Sequence, residues 1–319
     1  MVVFFVRRLL QAVVVVFLVT VFTFILLRLI PGNPAIAIMG PTAYRNPLAI
    51  KQFDITYGFN RPWYGQYWLW LDHLLHGNLG YSWNLNQSVA SLLGTHLPKT
   101  IFLVGISIIL ALIIAVPIGV VQAVRRNKPV DHFFNGFSTV FYAMPVFLLG
   151  LLLILIFAIK IPILPPEGPQ GETVGVIFSQ FNAMILPIIT LTLITIALFS
   201  RYMRSSVLDS LVQDYIRTAR AKGASERRVL MRHVLRNSLI PIATLLGLLL
   251  PQLFAGALIT ESVFNYPGMG YLFYQQATKQ DYPTLLGIIV VIAVATVVGS
   301  LLADIAYAVL DPRVRYVSR

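Results

Sequence analysis

Runs of about 20 apolar residues, separated by polar segments, recur along this chain. A helix that crosses about 30 Å of hydrocarbon needs about 20 mostly apolar residues at 1.5 Å of rise each. Six stretches qualify: about Leu9–Ile30, Ile101–Val124, Phe133–Ile159, Met184–Phe199, Leu239–Thr260 and Leu285–Leu310. The fourth is the shortest and is expected to occupy about 182–204. Residues 31–100 form one long connection and residues 205–237 another. The pattern predicts one all-α membrane domain over 1–319.

Composition agrees. Apolar residues make up 57 % of the chain, charged residues 11 %, and the mean hydropathy is +0.79; a soluble chain carries about 25 % charged residues. The net charge of +12 raises nucleic acid as a partner. Cytoplasmic loops of membrane proteins also collect Lys and Arg, and here the basic residues sort by side. Arg7, Arg8, Arg125, Arg126, Lys128, nine residues from Arg201 to Arg236, Arg313, Arg315 and Arg319 make 17 on one side. Arg28, Arg45, Lys51, Arg61, Lys99, Lys160 and Lys279 make 7 on the other. The first set is expected to be cytoplasmic, with both termini, and no nucleic-acid partner is expected. Arg7–Arg8 before an apolar run, with Ala35–Ile36–Ala37 beyond it, has the look of a signal peptide. The run is longer than a signal's usual 7–15 apolar residues, so the first helix is expected to be retained. Cysteine is absent, which removes disulfides and thiolate metal sites.

The first outer loop holds Trp63, Tyr64, Tyr67, Trp68, Trp70 and Tyr81. Such rings form an interfacial belt or a cap that receives an external protein. Trp63–Leu75 is expected to form a short amphipathic helix. In the third outer loop (Glu261–Pro283), Pro267–Gly268 marks a turn, Gly270 permits another, and Tyr271–Thr278 reads as a short helix. The loop is either an ordered cap or a segment that dips toward the membrane, where irregular backbone must be buried or line a wet cavity. Pathway candidates are therefore Glu261, Phe264, Pro267, Gly268 and Gly270, with Pro145 and Pro251 as kinks. Pro117, Pro187 and Pro241 are further kink positions. Asp304 is the one clear intramembrane acid, suited to a helix–helix hydrogen bond or a headgroup-level site. Ion-coupled transporters need ionisable groups near the midplane, and no carboxylate pair is found. No metal site is expected: His73, His76, His96, His132 and His233 are scattered. Walker-type, zinc-protease and nucleophile-elbow motifs do not occur. The chain is expected to carry neither a catalyst nor an energy source.

The second long connection has helical patterning. Leu208, Leu211, Tyr215 and Ala219 share one face. Gly223 suits the position after a helix end, Ser225 an N-cap, and Glu226 the first turn that follows. Val229, Leu230, His233 and Val234 share the next face. Helix, glycine corner and helix would project from the membrane, either onto anionic lipid or into a cleft of another protein. Asp214, Tyr215, Arg217, Thr218, Ala219, Arg220, Lys222, Gly223 and Ala224 are the candidates for that contact. Ala219, Ala221, Gly223 and Ala224 are small enough for close backbone approach.

RTARAKGASERRVLMRHVLRNSLIP resembles the cytoplasmic EAA loop of binding-protein-dependent ABC importer permeases. Gly223 stands at that loop's glycine, while Arg217, Thr218 and Ala219 stand where Glu-Ala-Ala is usual. RRLLQ, IPGNP, GFNRPWYGQYWLWLDHLLHGNLGYSW, AMPVF, TESVFNYPGMGYLFYQQATKQDYP and LDPRVRY resemble the B-type subunit of the peptide/nickel branch, along essentially the whole chain. The resemblance implies a six-helix type I ABC importer permease fold with a cytoplasmic coupling helix at about 215–224. It implies a second, non-identical permease, two ABC ATPases that carry ATP and Mg, an extracytoplasmic solute-binding protein, and no cofactor on this chain. It implies a bacterial or archaeal inner membrane and di- or oligopeptide cargo, with nickel chelates, glutathione, opines or sugars as other solutes of the family. Ion-coupled transport and a channel or scaffold are the rival classes; neither accounts for the match along the chain.

Overall fold

The computed structural model describes residues 2–31, 34–40, 46–171 and 173–310, with backbone alone at 2–7, 9, 174, 250 and 303–310. Arg45, Arg313, Arg315 and Arg319 and the side chains of Arg7 and Asp304 lie outside the described residues. The chain is built from helices: α1 (Val2–Leu29), α2 (Pro34–Met39), α3 (Pro47–Thr56), α4 (Trp63–Leu75), α5 (Val89–Val124), α6 (Pro129–Ala143) and α7 (Val146–Ile154), which a π-helical turn extends to Lys160. There follow α8 (Val174–Ser179), α9 (Phe181–Leu211), α10 (Asp214–Ala221) and α11 (Glu226–Arg228). A π-helical turn at Val229–Val234 then leads into α12 (Leu235–Ala255), followed by α13 (Leu258–Val263), α14 (Met269–Thr278) and α15 (Tyr282–Leu310). Among the described residues the only β pairing is an isolated bridge between Tyr81 and Ser88.

Among the described residues, five helical stretches are long and apolar enough to cross a membrane: Leu10–Leu29, Val89–Val124, Phe181–Leu211, Glu226–Val263 and Tyr282–Leu302. The third expected span is not one straight helix. It is α6 and α7, bent by 101° at Met144–Pro145. Proline lacks an N–H and disfavours helical backbone in the residue before it; Met144 is extended at φ −75°, ψ 127°. Pro117, Pro187, Pro241 and Pro251 stay inside their helices. The fifth span breaks instead at Gly256, whose φ of +85° ends α12. The second and fourth spans outrun their expected limits, reaching back to Val89 and on to Leu211.

α5 and α9 form the central pair. Gly119 makes their approach close enough that a Cβ there would lie 2.6 Å from the Met203 Cβ and 2.8 Å from the Ser200 carbonyl oxygen. Met203, Val207, Ile196 and Phe199 of α9 are buried with Ala111, Ala115 and Ala123 of α5. α6 is tied to α9 by a Ser138–Ser200 hydroxyl contact of 3.0 Å and by a two-pronged ion pair. In that pair Arg204 Nε and Nη2 each lie 2.8 Å from an Asp131 carboxylate oxygen. α12 packs on α15, and α1 lies at the periphery against α15. Leu10, Val13, Phe22, Leu26 and Leu29 of α1 remain exposed, an apolar face that suits lipid.

Candidate functional site

The turn between α9 and α12 is held from within. Gln213, extended at φ −72°, ψ 148°, interrupts the helix before α10. Because the register does not carry through, Tyr215 faces solvent and does not join Leu208 and Leu211. Ile216, fully buried, takes the inward position with Ala219 three residues on. Both belong to one buried cluster with Val207, Val229 and Val234. The π-helical turn, whose hydrogen bonds run from i to i+5, brings the last two, five residues apart, toward one side. Ile216 went unread in the sequence, although a lone branched apolar residue among basic ones, at i, i+3 to Ala219, is the signal. Ala219 is used inside the chain, leaving Asp214, Tyr215, Arg217, Thr218, Arg220, Lys222 and Gly223 exposed, with Ala224 half-buried.

The corner matches its expected form. Gly223 has φ +78°. Its N–H donates to the Arg220 carbonyl at 2.9 Å, and the Ala224 N–H to the Ala219 carbonyl at 3.2 Å. These are the two crossed bonds of a Schellman cap. Ser225 sits at the N-cap with extended backbone, but its hydroxyl makes no capping bond. Glu226 accepts from Arg220 at 2.8 and 3.1 Å, which braces one side of the corner against the other. Arg217 lies 3.6 Å from Asp214 at the surface. Arg220 is thus engaged within the chain, and Lys222 presents its charge outward.

A cavity of about 370 Å³ lies where α5, α7, α9, α12 and α13 converge. Both helix breaks open onto it: Val146 follows Pro145, and Gly256 and Ala257 join α12 to α13. Its wall is mostly aliphatic (Val104, Leu191, Leu249), with Ser107, Thr195, Gln252 and Thr260 as polar points. The hydroxyls of Ser107 and Thr195 are spent on carbonyls of their own helices.

None of the pathway candidates lines this cavity; Pro145 and Pro251 each precede a residue that does, Val146 and Gln252. Phe264 is fully buried against Leu149, Leu153 and Leu186. Glu261, fully buried, is a clamp behind the cavity. Its Oε1 accepts from Thr100 Oγ1 at 2.8 Å and from the Ala257 N–H at 3.2 Å; its Oε2 accepts from the Tyr271 N–H at 2.9 Å. Thr100 Oγ1 in turn accepts from the Met269 N–H at 2.7 Å. Gly268 and Gly270 leave room for that carboxylate: a Cβ would stand 2.5 Å from Glu261 Oε2 in the first case and 3.0 Å in the second. The Pro267 carbonyl lies 3.0 Å from His96 Nδ1. Tyr266 donates to the Lys99 carbonyl at 2.8 Å, and burial, aided by the Glu261 charge, pushes its phenol well above the ordinary range. This loop is therefore riveted to α5. α14 begins at Met269, two residues earlier than expected.

The aromatic loop divides. α4 has the limits expected of it, and Tyr67 is buried against Phe17 and Phe24, its hydroxyl 3.0 Å from Thr20 Oγ1. Trp63, Tyr64 and Trp68 stay exposed. Asp281, fully buried, accepts from the Ser82 hydroxyl, from the Trp83 N–H at 3.2 Å and from Thr284 at 2.9 Å, so the α4–α5 connection is joined to the start of α15.

Residues 115–316 match the family described as binding-protein-dependent transport system inner membrane component, and residues 1–104 match its N-terminal counterpart. The chain belongs to this family of permeases. This permease is 38 % identical over 98 % of its length to the oligopeptide transport system permease protein AppB of Bacillus subtilis, covering 99 % of that protein. It is 33 % identical to the glutathione transport system permease protein GsiC of Escherichia coli, with 98 % of each chain covered. Its fold is shared with a chain of the MetNI methionine ABC transporter solved in inward-facing conformations, at a TM-score of 0.55 and 17 % identity over 69 % of this permease and 96 % of that chain. The permease has the all-helical fold of a type I ABC importer and is a multi-pass inner-membrane transport component.

Proposed function

We propose that this permease forms half of the translocation pathway of an ATP-driven importer of di- or oligopeptides and is driven through α10. The observation that carries the proposal is the α10 corner. Ile216 and Ala219 fix one face of it to the membrane helices while Tyr215, Arg217, Thr218 and Lys222 face outward. A segment pushed from outside can transmit displacement only if its inner face is packed. α10 is so packed, and its base rests on α9 and on the π-helical turn that begins the fifth span. The cavity between the breaks at Pro145 and Gly256 is the pathway segment supplied by this chain. Its sparse polar groups suit a corridor and leave recognition to an external binding protein. The basic face carrying α10 is cytoplasmic, as are both termini. The remaining subunits are a non-identical permease, two ABC ATPases that hold ATP and Mg, and an extracytoplasmic solute-binding protein. This chain needs no cofactor of its own. Peptide cargo rests on relatives such as AppB.

The first experiment is gentle extraction of the tagged chain from native membranes, with mass spectrometry of what stays bound. Stoichiometric recovery of a second permease and ABC ATPases is expected. Recovery of the chain alone, or of a homo-oligomer without ATPase, overturns the proposal. In the recovered complex, Gly223→Trp is expected to leave ATP hydrolysis running while uptake is lost. Uptake at the unmodified rate would show that α10 is not the coupling element.

A further inference from the structure

We propose that the pocket enclosed by α1, α4, the 55–58 turn and the start of α15 binds the phosphate of an anionic phospholipid. The pocket measures about 310 Å³ and lies at the C-terminal end of α1. Arg28 and Arg61 line it, and no Asp or Glu does. Arg28, in the last turn of α1, is half-buried. Its guanidinium carbon lies 4.5 Å from the Phe59 ring centre, 5.4 Å from Phe24 and 5.9 Å from Tyr282. Its Nη2 donates to Gln66 Oε1. The Gln66 amide nitrogen is committed to the Arg61 carbonyl at 2.6 Å, which fixes the direction of the oxygen that Arg28 meets. A partly desolvated guanidinium is thus held by ring faces and one neutral oxygen, with no carboxylate among its partners. Trp70 lines the same pocket with its ring, its indole Nε1 buried behind the wall. Two guanidinium groups and no carboxylate line the site. A partly desolvated guanidinium gains from an anionic partner, and an anion with several acceptor oxygens bridges Arg28 and Arg61.

Position selects a lipid phosphate. The pocket lies at the end of the apolar span Leu10–Leu29, at the depth where interfacial arginines meet headgroups. The Phe22, Leu26 and Leu29 side chains are exposed along α1 and offer a track for acyl chains. The transport cavity is lined by other helices. A zwitterionic headgroup gains less, because the rings that could face its ammonium already carry Arg28 and no carboxylate is at hand. On the orientation proposed above the lipid belongs to the outer leaflet; an assay in detergent does not depend on that orientation.

The test uses the full chain with whatever subunits co-purify, in mild detergent, and compares retention of phosphatidylglycerol and phosphatidylcholine of identical acyl chains by native mass spectrometry. Roughly tenfold tighter retention of phosphatidylglycerol is expected, the size of one charge-assisted hydrogen bond. Arg28→Gln is expected to abolish the preference but also removes a packed side chain. Arg61→Gln, at an exposed position, is expected to reduce it with the melting temperature unchanged. Equal retention of the two lipids, or an undiminished preference in Arg61→Gln, overturns the proposal. Displacement of phosphatidylglycerol by millimolar inorganic phosphate would assign the pocket to a soluble anion and overturn the lipid assignment.

Discussion

Gly268 and Gly223 both stand at corners, and they are needed for opposite reasons. Around Gly223 a Cβ would meet nothing within 4 Å, so only its left-handed backbone matters. Alanine there should cost about 1–2 kcal/mol. Gly268 has no such φ, but a Cβ would stand 2.5 Å from the Glu261 carboxylate and from Thr100 Oγ1. Gly268→Ala should therefore either expel the carboxylate or shift the loop, at about 1–3 kcal/mol. Glu261→Ala goes further, because it strands the Thr100 hydroxyl and the Ala257 and Tyr271 N–H groups in a dry interior. Roughly 3 kcal/mol or more is expected from three buried donors losing their acceptor. Melting of the extracted protein, followed by tryptophan fluorescence, checks the order: Glu261→Ala lowest, then Gly268→Ala, then the unmodified chain. An unchanged melting temperature for Glu261→Ala would mean that the clamp does not hold the loop.

At the scale of elements, the sequence patterns that could be read were those written locally. Apolar runs revealed the long spans, because burial in hydrocarbon demands about 20 such residues in succession. Trp63–Leu75 and the Gly223 corner were legible for the same reason, since a helix end and its αL residue lie within one turn of each other. What stayed hidden depends on partners far apart in the chain. Glu261 and its glycines were read as pathway residues, yet Thr100, 161 residues away, makes them a rivet. Asp131 drew no notice, though Arg204 reaches it across 73 residues to join α6 to α9. That pair also sets the near half of the broken third span. Asp131 is 3 % exposed and Arg204 26 %. Asp131→Asn leaves the guanidinium half-paired, and a loss of about 2–4 kcal/mol is expected. Replacing both residues by leucine should recover much of that loss, because no charge is then stranded. Melting temperatures of the single and double variants decide the matter. If the double variant is no more stable than Asp131→Asn, the ion pair fixes geometry that apolar contact cannot supply.

Across the whole molecule, rigid and compliant parts are segregated. The loops around α13 and α14 and before α5 are riveted by Glu261, Asp281 and Tyr266, and the central pair α5–α9 is closed around Gly119. The breaks at Met144–Pro145 and Gly256 meet at the 370 Å³ cavity, so relative motion of the bundle halves would change the space between them. That placement yields a prediction for which the chain is already suited, because it has no cysteine. A single cysteine at Gln252, in the cavity wall, should react with a small hydrophilic thiol reagent at a rate that depends on whether the recovered complex is held with ATP analogue or without nucleotide. A cysteine at Phe264, fully buried behind the wall, should stay unreactive in both states. At Leu248, exposed on the same helix as Gln252, the rate should be slow and indifferent to nucleotide if that face meets lipid. A nucleotide-sensitive rate at Gln252→Cys together with insensitivity at Leu248→Cys distinguishes a gated aqueous corridor from general loosening of α12. Equal, nucleotide-independent rates at the two positions would remove the cavity from the transport pathway and return the kinks at Pro145 and Gly256 to a purely architectural role.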